Sequence, residues 1–194
     1  MGDPVAILDV ASGGRYLLSP SGQVMGPAAG AVGLPVIRVK ALPPGTEVQL
    51  ADEGGAVIGA GYFNPKSLIA IRLLAPPETK IDRDFFVGKF RRALGLRTRF
   101  FDRPFYRLVH AEGDGLPGLV VDRFGDCLSV QFLHKATEQR KELIADLLQA
   151  QFNCRAIVNR SDANVRRLEG LEPEKGLLRG TLGGPVVYRE GHIA

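Results

Sequence analysis

The sequence predicts an α+β protein, with a small β domain followed by a small α+β domain. Three observations predict this. Glycine and proline are abundant, at 24 and 13 of 194 residues, which favours turns and short strands over a helical bundle. Strand-type alternation dominates before Ala75-Pro76-Pro77, and helical periodicity appears only after it. The Pro-Pro step is stiff and cannot continue a strand ladder, so it sets a boundary between residues 1–75 and 76–194.

In the first part, residues 1–37 are poor in charge and rich in small residues, and MGPAAGAVGLP reads as loop or poorly ordered chain. From Pro43 the pattern sharpens. Val48 and Leu50 alternate with polar residues, and Asp52-Glu53-Gly54-Gly55 supplies a hairpin connection. Asn64-Pro65 ends the next strand, because proline restricts the residue before it and brings no donor. SLIAIRLL forms a third strand. The result is a small β unit, barrel-like if its edges close.

In the second part, Asp82 caps a helix on which Phe86, Phe90, Ala93, Leu94 and the stem of Arg97 share a face. Residues 106–112 read as a strand. Residues 119–124 and 127–133 form a hairpin around Gly125-Asp126, and Leu128, Val130 and Phe132 point one way. Residues 138–152 are a helix and 156–159 a strand. Asp162 caps a short helix that Gly170 ends, and 185–188 are a last strand.

Charge is unevenly spread. From Arg83 to Arg107 there are eight basic residues against Asp84 and Asp102, so this segment carries +6 and the rest of the chain −2. Concentrated cations attract polyanions through phosphate contacts and counterion release. Lys89, Arg91, Arg92, Arg97, Arg99, Arg103 and Arg107 are the candidate phosphate contacts. Phe100, Phe101, Phe105 and Tyr106 interleave with them. Tyr106 is the candidate for stacking on a base, whereas Phe100 and Phe101 are expected in the core.

Gly113-Asp114-Gly115-Leu116-Pro117-Gly118 spells G-x-G-x-x-G. A dinucleotide loop must open a helix whose N-terminus faces the pyrophosphate, but this one leads into a strand. The glycines are read instead as a tight β connection at positive φ. His110, Glu112 and Asp122, with Asp114 nearby, offer a weaker constellation for acid/base or metal chemistry, since His110 and Glu112 share a face if both lie on a strand. Cys127 and Cys154 form no CxxC pair and read as core residues in a reducing compartment. No apolar run approaches the roughly 20 residues of a membrane helix, and the N-terminus lacks a basic n-region, so a cytoplasmic location is expected.

GTEVQLADEGGAVIGAGYFNPKSLIAIRLL, FDRPFYRLVHAEGDGLPGLVVDRFGD and NRSDANVRRLEGLEP together resemble the bacterial S-adenosylmethionine-dependent 23S ribosomal RNA cytosine-5 methyltransferases. The resemblance covers about residues 40–190. It implies a PUA-like RNA-binding domain, a middle α+β domain and then a Rossmann-like catalytic domain. In the family, the catalytic domain begins about where this chain stops. The family's opening His-Pro-Trp type segment is also unmatched, and the chain has no Trp. The resemblance therefore implies a shortened chain with the Rossmann-like methyltransferase domain absent, with no catalytic residue, and with the cofactor S-adenosylmethionine bound elsewhere. It also places Arg160, Asp162 and Arg166 at the face meeting that domain. In such enzymes a cysteine thiolate adds to C6 of cytosine and C5 then attacks the cofactor methyl. This chain would supply grip and orientation.

The expected function is thus the RNA-recognition part of an rRNA methyltransferase. Its partners would be ribosomal RNA and a separate methyltransferase domain, with no membrane, and dimerisation is left open. The alternatives are a free-standing RNA-binding module, or an independent hydrolase or metalloenzyme using His110, Glu112 and Asp122.

Overall fold

A computed structural model describes residues 6–10, 15–18, 24–27, 36–39, 43–51, 56–67 and 69–188. The chain divides into two compact units, Met1–Ile81 with Leu168–Gly170, and Asp82–Arg167 with Leu171–Ala194.

In the first unit, β1 (Ala6–Val10), β2 (Arg15–Leu18), β3 (Val24–Pro27) and β4 (Val36–Val39) form a sheet in the order β3-β2-β1-β4. β1 runs antiparallel to β2 and parallel to β4. The loop expected over MGPAAGAVGLP is corrected where β3 reaches Pro27, and strands β1, β2 and β4 are not foreseen from the sequence. Runs as short as AILDV and VIRV carry too few residues to display a period, although Val and Ile favour extended backbone.

β5 (Thr46–Ala51), β6 (Val57–Phe63) and β7 (Ile71–Ala75) form an antiparallel meander. The connection expected at 52–55 lies outside the described residues. β6 stops before Asn64-Pro65, in agreement with the sequence. β7 begins later than the apolar run suggests, because the Ser67 N–H donates to the Asn64 carbonyl (3.2 Å) and closes a turn. Asn64 is buried, and its amide donates to Glu169 Oε2 at 2.7 Å. Ser67 and Arg72 also donate to the Glu169 carboxylate, which compensates its burial. Among the described residues the strands form two sheets rather than one closed barrel, and β5 and β7 end the meander with no further strand beside them.

The second unit opens with α1 (Arg83–Arg97). Asp82 caps it as predicted, its Oδ1 accepting from the N–H groups of Asp84 (3.0 Å) and Phe85 (3.2 Å); such a cap contributes about 1 kcal/mol. Phe86, Phe90 and Ala93 form its buried stripe, and α1 packs on β8 (Phe105–His110) and α3 (Lys141–Phe152). The remaining elements are β9 (Leu119–Phe124), β10 (Cys127–Phe132), α2 (Lys135–Gln139), β11 (Ala156–Ser161) and β12 (Glu174–Gly180). They complete a five-stranded sheet in the order β12-β11-β10-β9-β8. Leu108, Val121, Val130, Phe132 and Ile157 from the sheet and Ile144, Leu147 and Leu148 of α3 are all buried in the core.

The sheet is mixed. β10 and β11 are parallel, with α2 and α3 in the crossover between them, and the other pairs are antiparallel. This βαβ crossover is not visible in the sequence pattern, because periodicity locates elements but carries no strand direction. Three further details differ. The strand expected over 106–112 ends at His110, and Ala111–Asp114 is a 3₁₀ turn entered at Ala111 with φ 41°. The strand expected at 185–188 is absent. The last strand is instead Glu174–Gly180, a mostly exposed edge whose two glycines and lack of alternation hide it. The helix expected over 138–152 is broken at Arg140 into α2 and α3.

Candidate nucleic-acid interface

The glycine loop and the basic helix are separated in sequence and adjacent in space. Between them lies a cavity of about 580 Å³, lined by Lys89, Arg92, Leu96 and Arg99 on one side and Gly113, Asp114 and Gly115 on the other. Lys89, Arg92 and Leu96 follow helical spacing on one face of α1. Arg99 continues the row in the turn beyond the helix, where its N–H donates to the Leu96 carbonyl (3.3 Å).

Arg97 holds the two walls together. Its Nη1 and Nη2 donate to Asp114 Oδ1 (2.7 Å) and Oδ2 (2.6 Å), while Nε donates to the Arg107 carbonyl (2.9 Å). Asp114 Oδ2 also accepts the His110 backbone N–H at 2.6 Å. Both side chains are nearly buried, at 12% and 8% exposed, so the pair is poorly screened.

Gly118 fixes the exit of the loop. It has φ 75°, and a Cβ there would lie 2.2 Å from the His134 ring. Its carbonyl accepts from the Leu133 N–H (2.8 Å) and from Thr137 Oγ1 (3.3 Å). The loop therefore passes from a 3₁₀ turn into an antiparallel strand; Gly115 and Gly118 take the expected positive φ, whereas Gly113 lies within the 3₁₀ turn and does not.

The predicted cations fall into distinct groups. Lys89, Arg92 and Arg99 share the cavity and make no ion pair with a described carboxylate. Burial, and then repulsion from Arg92, holds the Lys89 ammonium below its ordinary value of 10.5. Its Nζ lies 5.2 Å from the centre of the Phe85 ring, a cation–π contact. Arg91 and Arg103 are exposed and do not line the cavity. Arg97 and Arg107 carry carboxylates. Arg107 pairs with Asp122 opposite it on β9, at 2.8 and 3.2 Å.

The aromatics reverse the expectation from sequence. Phe100 and Phe101 are not core residues; they are 73% and 49% exposed. The C-terminal turn of α1 projects them outward, with both N–H groups donating to the Arg97 carbonyl at 3.0 Å. Tyr106 is half-buried. Its ring lies 5.4 Å from that of Phe101, and its hydroxyl accepts from Arg123 Nη1 at 3.3 Å.

Arg166 requires a correction. Expected beside Arg160 and Asp162 at an outward face, it is only 2% exposed. Its Nη1 donates to Glu138 Oε2 (2.8 Å) and to the Phe132 carbonyl, and its Nε to the Glu172 carbonyl (2.9 Å). A guanidinium surrounded by acceptors stabilises the interior rather than a surface. Arg160 and Asp162 are exposed and pair with each other at 3.3 Å; the Asp162 carboxylate takes Arg160 as its partner.

His110, Glu112 and Asp122 are not gathered into a catalytic set. Glu112 lies in the 3₁₀ turn rather than on the strand face of His110, and Asp122 is taken by Arg107. Among the described residues, no group of three or more His, Cys, Asp or Glu is placed to hold a metal. Cys127 and Cys154 are buried, and burial pushes both thiols up, the opposite of an activated nucleophile. The 113–118 loop does not fit S-adenosylmethionine. It opens no helix, and the Asp114 carboxylate is engaged by Arg97 and His110. No methyl-transfer step is assigned to these side chains. Among the described residues, no helix is long and apolar enough to cross a membrane.

Comparison with known proteins places these features in two steps. Residues 36–76 match a PUA-like domain model. The chain is homologous to a segment of ribosomal RNA large subunit methyltransferase I. It is 36% identical over 154 residues to that protein from Shewanella denitrificans, covering 77% of this chain and 39% of the relative. It is 37% identical over 140 residues to the Aliivibrio fischeri protein, covering 70% of this chain and 35% of the relative. The chain thus belongs to this rRNA methyltransferase family and spans well under half the length of these relatives.

Among solved structures, a Streptococcus mutans protein assigned as a SAM-dependent methyltransferase matches with TM-score 0.61 and 18% identity, over 74% of this chain and 37% of its own. A second, an assigned methyltransferase complexed with SAH, matches with TM-score 0.62 and 19% identity, over 74% of this chain and 36% of its own. These matches overturn the expectation that a Rossmann-like methyltransferase fold is absent. Both neighbours are assigned as methyltransferases, and the mixed five-stranded sheet with its βαβ crossover is consistent with that fold.

Proposed function

We propose that this chain is an RNA-recognition segment of a SAM-dependent rRNA cytosine-5 methyltransferase, and that the cavity beside α1 grips the ribose-phosphate strand. The observation that carries this reading is the row Lys89, Arg92 and Arg99, three cations facing one cavity and in no ion pair with a described carboxylate, the Asp114 carboxylate of the opposite wall being taken by Arg97. Homology to the rRNA methyltransferases and the PUA-like match support ribosomal RNA as the polyanion. Arg97 acts indirectly, since its pairing with Asp114 holds the glycine loop as the opposite wall. Exposed Arg91 and Arg103 extend the positive field and steer the approach of RNA without a fixed contact. The segment's contribution to methylation is positioning of the target nucleotide.

Titration of the chain with an rRNA fragment at several salt concentrations tests this. Affinity is expected to fall steeply as salt rises, with a slope near −2 on logarithmic axes for three contacts on an unpaired strand, at roughly 0.7 per contact. Flat salt dependence contradicts the reading.

A further inference from the structure

We propose that Phe100 is a base-stacking platform, so that the strand gripped at the cavity is unpaired RNA rather than duplex. This rests on the reading of the cavity as a phosphate grip and adds the conformational class of the RNA.

Phe100 is 73% exposed, and it directly follows Arg99, which lines the cavity. A single exposed apolar side chain is ordinary. Two features set this one apart. Its backbone is held, because the N–H groups of Phe100 and Phe101 both donate to the Arg97 carbonyl at 3.0 Å. Arg97 is in turn fastened to the opposite wall by Asp114. The ring is thus presented from a hydrogen-bonded turn, with Arg99 and Arg103, both exposed, on either side of it in the sequence. The neighbouring aromatics are already engaged. Phe101 and Tyr106 lie against each other at 5.4 Å, and the Tyr106 hydroxyl is tied to Arg123. Phe100 has no aromatic partner among the described residues, and its face is open.

An exposed ring next to phosphate-binding cations is the arrangement that holds unpaired nucleotides: cations take the backbone and the ring takes a base. In an A-form duplex the base faces are stacked internally and cannot reach the ring without unpairing. A protein partner docking on Phe100 would need apolar surface around it. Of the flanking residues, Phe101 is half exposed but lies against Tyr106, and Arg99, Asp102 and Arg103 are charged.

The test uses fluorescence anisotropy with three RNA probes of equal length: a single strand, the same strand with abasic sites, and a duplex. The single strand is expected to bind about tenfold more tightly than the abasic strand. Phe100→Ala should remove that preference, weakening the single strand about tenfold while leaving the abasic strand unchanged, and Phe100→Trp should restore it. Arg92→Gln with Arg99→Gln should weaken all three probes. If Phe100→Ala binds the single strand like the parent, or if the parent prefers duplex, the stacking proposal is overturned even when the charge variants behave as expected. If the charge variants leave every probe unaffected, it is the phosphate-grip reading that fails.

Discussion

Arg97 and Asp114 meet through two parallel hydrogen bonds of 2.7 and 2.6 Å, joining the last turn of α1 to the glycine loop across 17 residues of sequence. Because both are nearly buried, removing one partner strands the other charge. Asp114→Asn is expected to destabilise the chain by about 3 kcal/mol, measured by denaturant unfolding. Arg97→Met together with Asp114→Asn should cost less than the sum of the single changes, giving a coupling on the order of 1–3 kcal/mol. Additive losses would mean that the pair does not act as one unit.

The phosphate row predicts a division among the arginines. Arg92→Gln and Arg99→Gln should each lower the salt slope of RNA binding by about 0.7. Arg107→Gln should leave the slope unchanged, because its charge is already matched by Asp122. Equal effects from all three would place the contacts outside the cavity.

Lys89 titrates below its ordinary value of 10.5, through burial first and Arg92 second. Its charge, and the share of RNA affinity that depends on it, is present at neutral pH and is lost as pH rises through the lowered value. Lys89→Arg stays charged and should flatten this alkaline decline in affinity. The same strain costs the folded state free energy at neutral pH. Lys89→Met should therefore weaken RNA binding without lowering the melting temperature. A lower melting temperature would make Lys89 a structural residue.

Burial alone pushes the Glu138 carboxyl up, but hydrogen bonds from Arg166 and Lys141 outweigh it and hold the carboxyl below its ordinary value of 4.5. A depressed folded value stabilises the fold fully above the unfolded value, and that stabilisation is lost as pH falls below 4.5 and through the folded value. Glu138→Gln is expected to cost about 3 kcal/mol at neutral pH and to blunt the acid transition, followed by circular dichroism. An unchanged acid transition would assign that pH dependence to other carboxylates.

Much of this architecture is legible in the residues themselves. The Asp82 cap, the Phe86-Phe90-Ala93 stripe and the hairpin around Gly125-Asp126 all arise from local chemistry, and all are present. So does the rejection of the 113–118 loop as a dinucleotide site, since Leu119-Val120-Val121 directly after Gly118 is a strand run in the sequence and strand β9 in the fold. The parts that are not legible are non-local. The direction of β11 relative to β10 depends on the path of the crossover, and the pairing of Arg97 with Asp114 depends on where a loop lands. The burial of Arg166 depends on acceptors at Phe132, Glu138 and Glu172 that converge only in the fold. Phe100 departs from its expected place in the core because composition favours burying phenylalanine, whereas its position just past a helix end turns it outward.

Photocrosslinking of the chain to an rRNA fragment, with the attached peptides mapped by mass spectrometry, tests the central claim most directly. Crosslinks should concentrate at Lys89, Arg92, Arg99 and Phe100 and at the Gly113–Gly115 wall, and should fade in Arg92→Gln with Arg99→Gln. Crosslinks that avoid this cavity and persist in that variant would contradict the account.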